Sequence, residues 1–156
     1  MVQKLRPYLW FDKGKAKEAA EFYTSVFKDA RILGEFAIEN TPSGTVTEIT
    51  VELLGQQMTF LDVGPEFRFT EAISFVVDCD GQEEVDYYWN KLTADGGSEG
   101  QCGWLKDRFG LSWQIVPRQF YEIAKRDSSG KVMEAMLEMN KLVIADLEKA
   151  LGEKNE

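Results

Sequence analysis

Apolar and polar residues alternate along Pro7–Asp12, which predicts a β-strand, and the segment after it changes to a helical spacing. Its apolar residues recur at intervals of three and four and share one helix face. They are Ala19, Phe22, Tyr23 and Val26. The same pattern returns 66 residues later, where the strand Ile73–Asp78 precedes a second apolar helix face. That face is formed by Val85, Tyr88, Trp89 and Leu92. The chain therefore contains an internal repeat, and its helix aromatics are expected to be buried.

In the later part of each copy the spacing between matching residues changes to 55. Gly55, Met58 and Phe60 correspond to Gly110, Trp113 and Ile115. The second copy is thus eleven residues shorter than the first, since 66 − 55 = 11. We expect the difference in the turn-forming segment Glu39–Thr45, because loops absorb changes in length at small energetic cost.

Each copy is predicted to form a strand, a helix and three more strands. The first copy comprises Leu5–Phe11, the helix Lys15–Phe27, and strands near Ala30–Ile38, Val46–Leu54 and Gln57–Val63. The second comprises Ala72–Cys79, the helix Gln82–Thr93, and strands at Ser98–Gln101, Cys102–Asp107 and Leu111–Val116. The predicted fold class is α+β, with two tandem βαβββ repeats whose curled mixed sheets surround a cavity.

A helical tail follows the repeats. Residues 1–118 are expected to form the paired domain, and residues 119–156 a helical extension packed on that domain or on a partner subunit. Helical spacing at Val132, Met136, Met139 and Val143, and then at Ile144, Leu147 and Leu151, indicates two short helices. Met133, Met136 and Met139 could form an adaptable contact surface, but ordinary packing is the preferred interpretation.

Composition excludes several classes of function. No run of about 18 apolar residues is present, so we expect neither a membrane span nor membrane binding. Two cysteines are too few for a disulfide framework, which suits the cytoplasm. The net charge of −9 repels phosphate backbones and argues against nucleic-acid binding.

The chain contains no histidine. Histidine is the usual general base near neutral pH and the commonest metal ligand, so triads and His-rich metal centres are excluded. Any catalysis must use carboxylates, Cys, Tyr, Lys or Arg.

Three segments carry a resemblance to a known family. They are PYLWFD at Pro7–Asp12, EFYTSVF at Glu21–Phe27 and CGWLKDRFGLSWQIVP at Cys102–Pro117. Together they resemble the PhnB-like family, also labelled 3-demethylubiquinone-9 3-methyltransferase. It is a branch of the glyoxalase/bleomycin-resistance/dioxygenase (vicinal oxygen chelate) superfamily. The resemblance implies a homodimer whose curled sheets enclose a cavity, in many members with a divalent metal held by His and Glu.

Carried over by strand position, the superfamily's metal-ligand places fall at Arg6, Thr59, Ala72 and Gln114. None of the four is a strong ligand, and Arg6 adds a cation. The alternation turns Asp62 and Glu71, which lie nearby in sequence, away from the expected cavity face. We therefore predict no metal and no cofactor. Methyltransferase activity is also not expected. Most S-adenosylmethionine-dependent enzymes of that chemistry use a Gly-rich turn between a strand and a helix, and no such turn is visible in the sequence.

The same alternation names the candidate ligand-binding residues. They are Arg6, Tyr8, Trp10, Thr59, Leu61, Ala72, Ser74, Val76, Cys102, Trp104 and Gln114. Arg6 could clamp an anion, although a surface or interface ion pair is preferred. Trp10 and Trp104 could stack on a planar ligand or fill the core. Cys102 could be a nucleophile, but a buried inert thiol is preferred, and the sequence leaves the faces of Cys102 and Trp104 open.

Three functions remain open. The preferred one is metal-free binding of a small anionic or aromatic molecule, because the sequence shows no group activated for acid–base catalysis. The second is an enzyme that uses non-histidine chemistry or a residual metal. The third is a purely structural oligomer.

Overall fold

Each repeat folds into a four-stranded mixed sheet with one helix packed on one face. The structure is a computed structural model that describes residues 2–152. Two compact units divide at Arg68 and Phe69, and each holds one repeat. No helix in the described range is long and apolar enough to cross a membrane.

The first unit contains four strands and one helix. They are β1 (Tyr8–Phe11), α1 (Lys15–Val26), β2 (Arg31–Thr41), β3 (Gly44–Leu53) and β4 (Gln56–Asp62). The strand order is β1-β4-β3-β2, with β1 parallel to β4 and the other neighbours antiparallel.

The second unit repeats this arrangement. Its elements are β5 (Ser74–Cys79), α2 (Gln82–Thr93), β6 (Ser98–Glu99), β7 (Trp104–Lys106) and β8 (Ser112–Pro117). The order β5-β8-β7-β6, with β5 parallel to β8, matches the first sheet strand for strand. The predicted tandem βαβββ fold is thus confirmed.

The difference in length between the copies lies in the hairpin whose turn falls within Glu39–Thr45, but mostly in its strands and not in the turn itself, where it was expected. β2 and β3 span 11 and 10 residues and are joined by a tight turn at Pro42 and Ser43, whereas β6 and β7 span 2 and 3 residues. Positive φ angles at Asn40 and Gly44 allow that turn, since both residue types tolerate the left-handed region. The turn-forming residues therefore mark the tip of a hairpin. The connection is short because β2 and β3 remain paired up to the turn.

The predicted helix faces form the cores of the two units. Val85, Tyr88, Trp89 and Leu92 are all buried on α2, and so are Ala19, Tyr23 and Val26 on α1. The exception is Phe22, which is half-buried and lies 5.5 Å from the Tyr23 ring between centroids.

The two copies differ in how their parallel strands pair. Tyr8 stands opposite Thr59, whereas its counterpart Ser74 stands opposite Ser112. Equal registers would have placed Ser74 opposite Gln114, so the second pair is shifted by two residues. A shift of two leaves every side chain on its original face.

The tail forms three helices, so the prediction of two was wrong. They are α3 (Arg118–Arg126), α4 (Lys131–Leu137) and α5 (Ile144–Gly152). The additional break lies at Asp127–Gly130, where the Asp127 carboxylate accepts hydrogen bonds from the backbone N–H groups of Ser129 and Val132. A hydrogen bond from the Ser129 hydroxyl, followed by these backbone bonds, lowers the pKa of Asp127, and Gly130 has a φ of +81°.

The tail packs within the second unit. Its apolar core contains Val116, Phe120, Ile123, Val132, Leu142, Leu147 and Ala150. Met136 and Met139 pack against this core, whereas Met133 is about half exposed. Tail residues 153–156 lie outside the described range.

Candidate functional site

The face of the first sheet opposite α1 carries a group of polar side chains from β1, β3 and β4. Leu9, Phe11 and Phe60 alternate onto the helix-covered face and are buried. Tyr8 and Trp10 therefore point to the other side, together with Thr59 and Leu61, which pair with them in register. We call this side the open face of the first sheet.

Arg6 is held on this open face by a pair of threonines. Its Nε donates to Thr59 Oγ1 at 2.8 Å, and Thr59 Oγ1 lies 3.2 Å from Thr50 Oγ1 on the next strand. Thr59 is completely buried, although its neighbour Arg6 is exposed. The ion pair preferred for Arg6 is absent within the chain, because no carboxylate of the described residues lies in salt-bridge range. The guanidinium is oriented by Thr59, and its terminal nitrogens keep their hydrogen-bonding capacity.

Tyr8 and Glu48 form a second polar pair on the open face. The Tyr8 hydroxyl donates to Glu48 Oε1 at 2.5 Å, a contact that joins β1 to β3 across β4. Burial, then the hydrogen bond and charge of Glu48, raise the pKa of the Tyr8 hydroxyl, while the charge of Arg6 opposes them. Tyr8 is therefore a neutral hydrogen-bond donor at physiological pH.

Aromatic rings border these polar groups. The Trp10 indole donates to Gly64 O at 2.8 Å and meets the Phe67 ring edge-on at a centroid distance of 4.9 Å. Phe36 stands opposite Glu48 on β2, and both Phe36 and Phe67 are 65% exposed. These rings offer apolar contact area that the unit itself leaves uncovered.

The second sheet has a corresponding open face with different chemistry. Gln114 Nε2 donates to Ser74 Oγ at 2.9 Å, and Trp104 pairs with Gln114 in register, so Trp104 lies on this face. Val76, also on this face, is half exposed. Ser112 is 1% exposed, and its hydroxyl has no hydrogen-bond partner among the described residues.

Three of the candidate residues lie outside the strands assigned to them, and the first is Arg6, because β1 begins only at Tyr8. Ala72 is exposed in a turn, because β5 begins only at Ser74. Cys102 lies in a turn before β7 with a φ of +59°, and its backbone N–H donates to Met139 O at 2.8 Å. Cys102 is half-buried rather than buried, whereas Cys79 is buried and its thiol pKa is raised to about 12, chiefly by that burial.

Sequence reasoning missed Glu48, Thr50 and Phe36 on the first open face, and Lys106 and Ser112 on the second. The alternation in β3 contained a signal, since Glu48, Thr50 and Glu52 are polar while Ile49, Val51 and Leu53 are apolar. That signal assigns the face of each residue. It does not show that Tyr8 reaches Glu48 from two strands away.

These residues do not fit a divalent metal. In residues 2–152 no group of three or more Cys, Asp or Glu side chains is placed to hold an ion. Asp62 accepts a hydrogen bond from the Gly14 N–H at 2.7 Å, and Glu71 pairs with Lys106. Of the four positions that correspond to the superfamily's metal ligands, one holds the cationic Arg6 and three hold uncharged side chains. They form a poor ligand set for a divalent metal.

Comparisons with known proteins agree with the fold. The model of the family described as 3-demethylubiquinone-9 3-methyltransferase matches residues 3–116. A PhnB protein structure from Bacillus cereus, which bears the same family description, is 34% identical, covers 74% of this chain and 99% of its own, and has a TM-score of 0.65. Curated proteins yielded no significant match.

Two more distant structures share the fold. Protein PA1353 from Pseudomonas aeruginosa is 20% identical, with coverage of 74% and 98% and a TM-score of 0.60. The fosfomycin resistance protein FosX from Listeria monocytogenes is 17% identical, with coverage of 78% and 97% and a TM-score of 0.52. The family match ends at residue 116, before the tail begins. The Bacillus structure covers 74% of this chain, so it also leaves a part of about the tail's length unmatched. The chain therefore belongs to the PhnB-like family described as 3-demethylubiquinone-9 3-methyltransferase, within the vicinal oxygen chelate superfamily.

Proposed function

We propose that this protein binds a small anionic molecule with an apolar part, without a metal ion, on the open face of the first sheet. The observation that carries the proposal is the state of Arg6. In a chain of net charge −9, its guanidinium has no acidic partner among the described residues and is oriented by buried Thr59.

The geometry suits an anion with two acceptor oxygens. Because Nε is used by Thr59, the guanidinium keeps its Nη1 and Nη2 groups for a carboxylate or a phosphate. Arginine binds such groups through two parallel hydrogen bonds, which fix orientation as well as affinity. Trp10, Phe36 and Phe67 would contact the apolar part of the ligand.

Binding is favoured over catalysis because the Tyr8 hydroxyl on this face is not activated as an acid or a nucleophile. The pKa of Tyr8 is raised, which makes the hydroxyl a weaker acid and leaves it protonated. A non-histidine enzyme is the second candidate, favoured by the 2.5 Å Tyr8–Glu48 hydrogen bond, which could carry a proton between the two groups.

The family description does not support methyl transfer by this chain. Gly14 is the single glycine between β1 and α1. The usual S-adenosylmethionine-dependent methyltransferase has a Gly-rich turn at that place and a doubly wound parallel sheet. Only one of the three strand pairs in each sheet is parallel. We also place the protein in the cytoplasm, since both cysteines are free thiols.

Replacing Arg6 tests the proposal. Titration of the purified protein with 3-phenylpropionate, followed by calorimetry and amide NMR, should show binding that Arg6→Gln weakens about tenfold. Arg68→Gln is the matched control, because Arg68 is an exposed arginine of the same unit. Equal affinities of Arg6→Gln and the unaltered protein would refute the assignment.

Elemental analysis tests the metal-free part of the proposal. The protein should contain no stoichiometric Zn, Ni, Mn or Fe, and chelator should leave Tm unchanged, since a metal bound only to the folded state would raise it. One equivalent of tightly held metal, with a drop in Tm on chelation, would overturn it.

A further inference from the structure

We infer that the ligand of the first open face is a zwitterion of the α-amino acid type with an apolar side chain, whose ammonium group is bound by Glu48. The inference rests on the proposed anion site at Arg6 and adds a second, oppositely charged recognition group. Nothing in the family resemblance assigns a role to Glu48.

Glu48 is a half-buried carboxylate without a basic partner among the described residues. One of its oxygens accepts the Tyr8 hydroxyl, and the other has no hydrogen bond. Glu52, two residues along the same strand and on the same face, forms an ion pair with Arg31 at 3.2 Å. The local structure thus neutralises Glu52 and leaves Glu48 for a cation from outside.

Arg6 and Glu48 have opposite charges but do not pair with each other. Arg6 donates to Thr59, which pairs with Tyr8 in register, and Glu48 accepts the Tyr8 hydroxyl, so both charges lie beside Tyr8. A purely anionic ligand would satisfy Arg6 and be repelled by Glu48, whereas an amine would do the reverse. A molecule that carries a carboxylate and an ammonium close together satisfies both.

Apolar side chains flank Glu48 in its own row of the sheet. Leu61 lies opposite Glu48 on β4, and Phe36 lies opposite it on β2. Trp10 pairs with Leu61 and completes the row. If the ammonium group of an α-amino acid binds Glu48, the side chain on its α-carbon would therefore lie against apolar and aromatic surface.

Three related probes separate the parts of the inference. Calorimetry with L-phenylalanine, 3-phenylpropionate and 2-phenylethylamine compares the zwitterion, the anion and the cation on one phenyl scaffold. We expect L-phenylalanine to bind about tenfold more tightly than 3-phenylpropionate, since a charge-assisted hydrogen bond is gained. Glu48→Gln should remove that preference while leaving the affinity for 3-phenylpropionate equal or higher. Glu52→Gln, on the same strand and face, should retain the preference.

The outcomes distinguish this inference from the anion site itself. If 3-phenylpropionate binds through Arg6 and L-phenylalanine binds no better, the zwitterion inference fails and the anion site stands. A preference that survives Glu48→Gln also overturns the inference, because another group must then hold the ammonium. Failure of all three probes to bind would overturn both proposals.

Discussion

At the scale of single residues, Asp107 has a structural role within the segment Cys102–Pro117 that carries the family resemblance. Its side chain is 2% exposed and organises the turn between β7 and β8. Oδ1 accepts from the N–H groups of Phe109 and Leu111, and Oδ2 accepts from the Trp113 indole at 2.8 Å. The predicted strands Cys102–Asp107 and Leu111–Val116 left only a short connection here, and the structure forms it as a tight turn.

Replacing Asp107 by Ala should lower the free energy of unfolding by about 3 kcal/mol, because the buried N–H groups of Leu111 and Trp113 and the partly buried N–H of Phe109 lose their acceptor. Urea denaturation followed by tryptophan fluorescence measures the change. Glu122→Ala is the control, since Glu122 makes an exposed ion pair with Lys125 within α3 and should change stability by less than about 0.5 kcal/mol. Similar losses in the two variants would show that the turn does not depend on the buried carboxylate.

Single residues also mark where prediction from sequence ends. Period-two alternation was sufficient to place Tyr8, Trp10, Thr59 and Leu61 on one face, because a strand leaves only two choices for each side chain. The hydrogen-bond partner of Arg6 could not be predicted in this way. Whether it pairs with a carboxylate or with Thr59 depends on which strand lies beside it, and that is fixed only by the sheet.

At the scale of elements, the tail is attached to the second unit by hydrogen bonds that fix its backbone. The Gln82 side chain donates to Leu142 O at 3.0 Å and accepts from the Ile144 N–H at 2.8 Å. Cys102 and Gly103 donate to Met139 O and Asn140 O, and Lys141 pairs with Asp86. The pKa of Asp86 is lowered first by its hydrogen bond to Lys141 and then by Gln82.

Gln82→Ala should loosen the tail while the first unit stays unchanged. Loss of these hydrogen bonds should cost about 1–2 kcal/mol locally, which speeds amide hydrogen exchange around Leu142–Ile144 about tenfold or more. Hydrogen exchange measured by mass spectrometry resolves the segments. Asn90→Ala, at an exposed position of the same helix, should leave the exchange pattern as it is. Faster exchange in β1–β4 would contradict a local role for Gln82.

The number of tail helices was harder to predict than their existence. Apolar spacing identified a helical tail, since Val132, Leu147 and their neighbours recur at helical intervals. The break at Asp127–Gly130 is created by side-chain hydrogen bonds to backbone N–H groups, which compete with helix continuation. Such competition is decided by geometry that spacing alone does not contain.

At the scale of the whole molecule, each unit exposes several large apolar side chains, which a partner subunit can cover. Phe36, Phe67 and Ile73 are each about two-thirds exposed, and Tyr8 and Val76 about half. We expect a homodimer that covers part of this area. Multi-angle light scattering at micromolar concentration should give about twice the 17.8 kDa of one chain. A constant mass of one chain over that range would contradict the prediction.

The register shift between the two parallel pairs bears on how the repeats diverged. If the copies descend from one duplicated segment, loss of residues from the second hairpin had to be absorbed by strands sliding past each other. A slide of one residue would have turned Trp113 and Ile115 out of the core, and such intermediates would not fold. Slides of two preserve the inside and the outside of the sheet. Folded proteins that share this architecture should therefore differ in strand register by even numbers of residues. The positions that face the ligand can then still be aligned after the residues at those positions have changed.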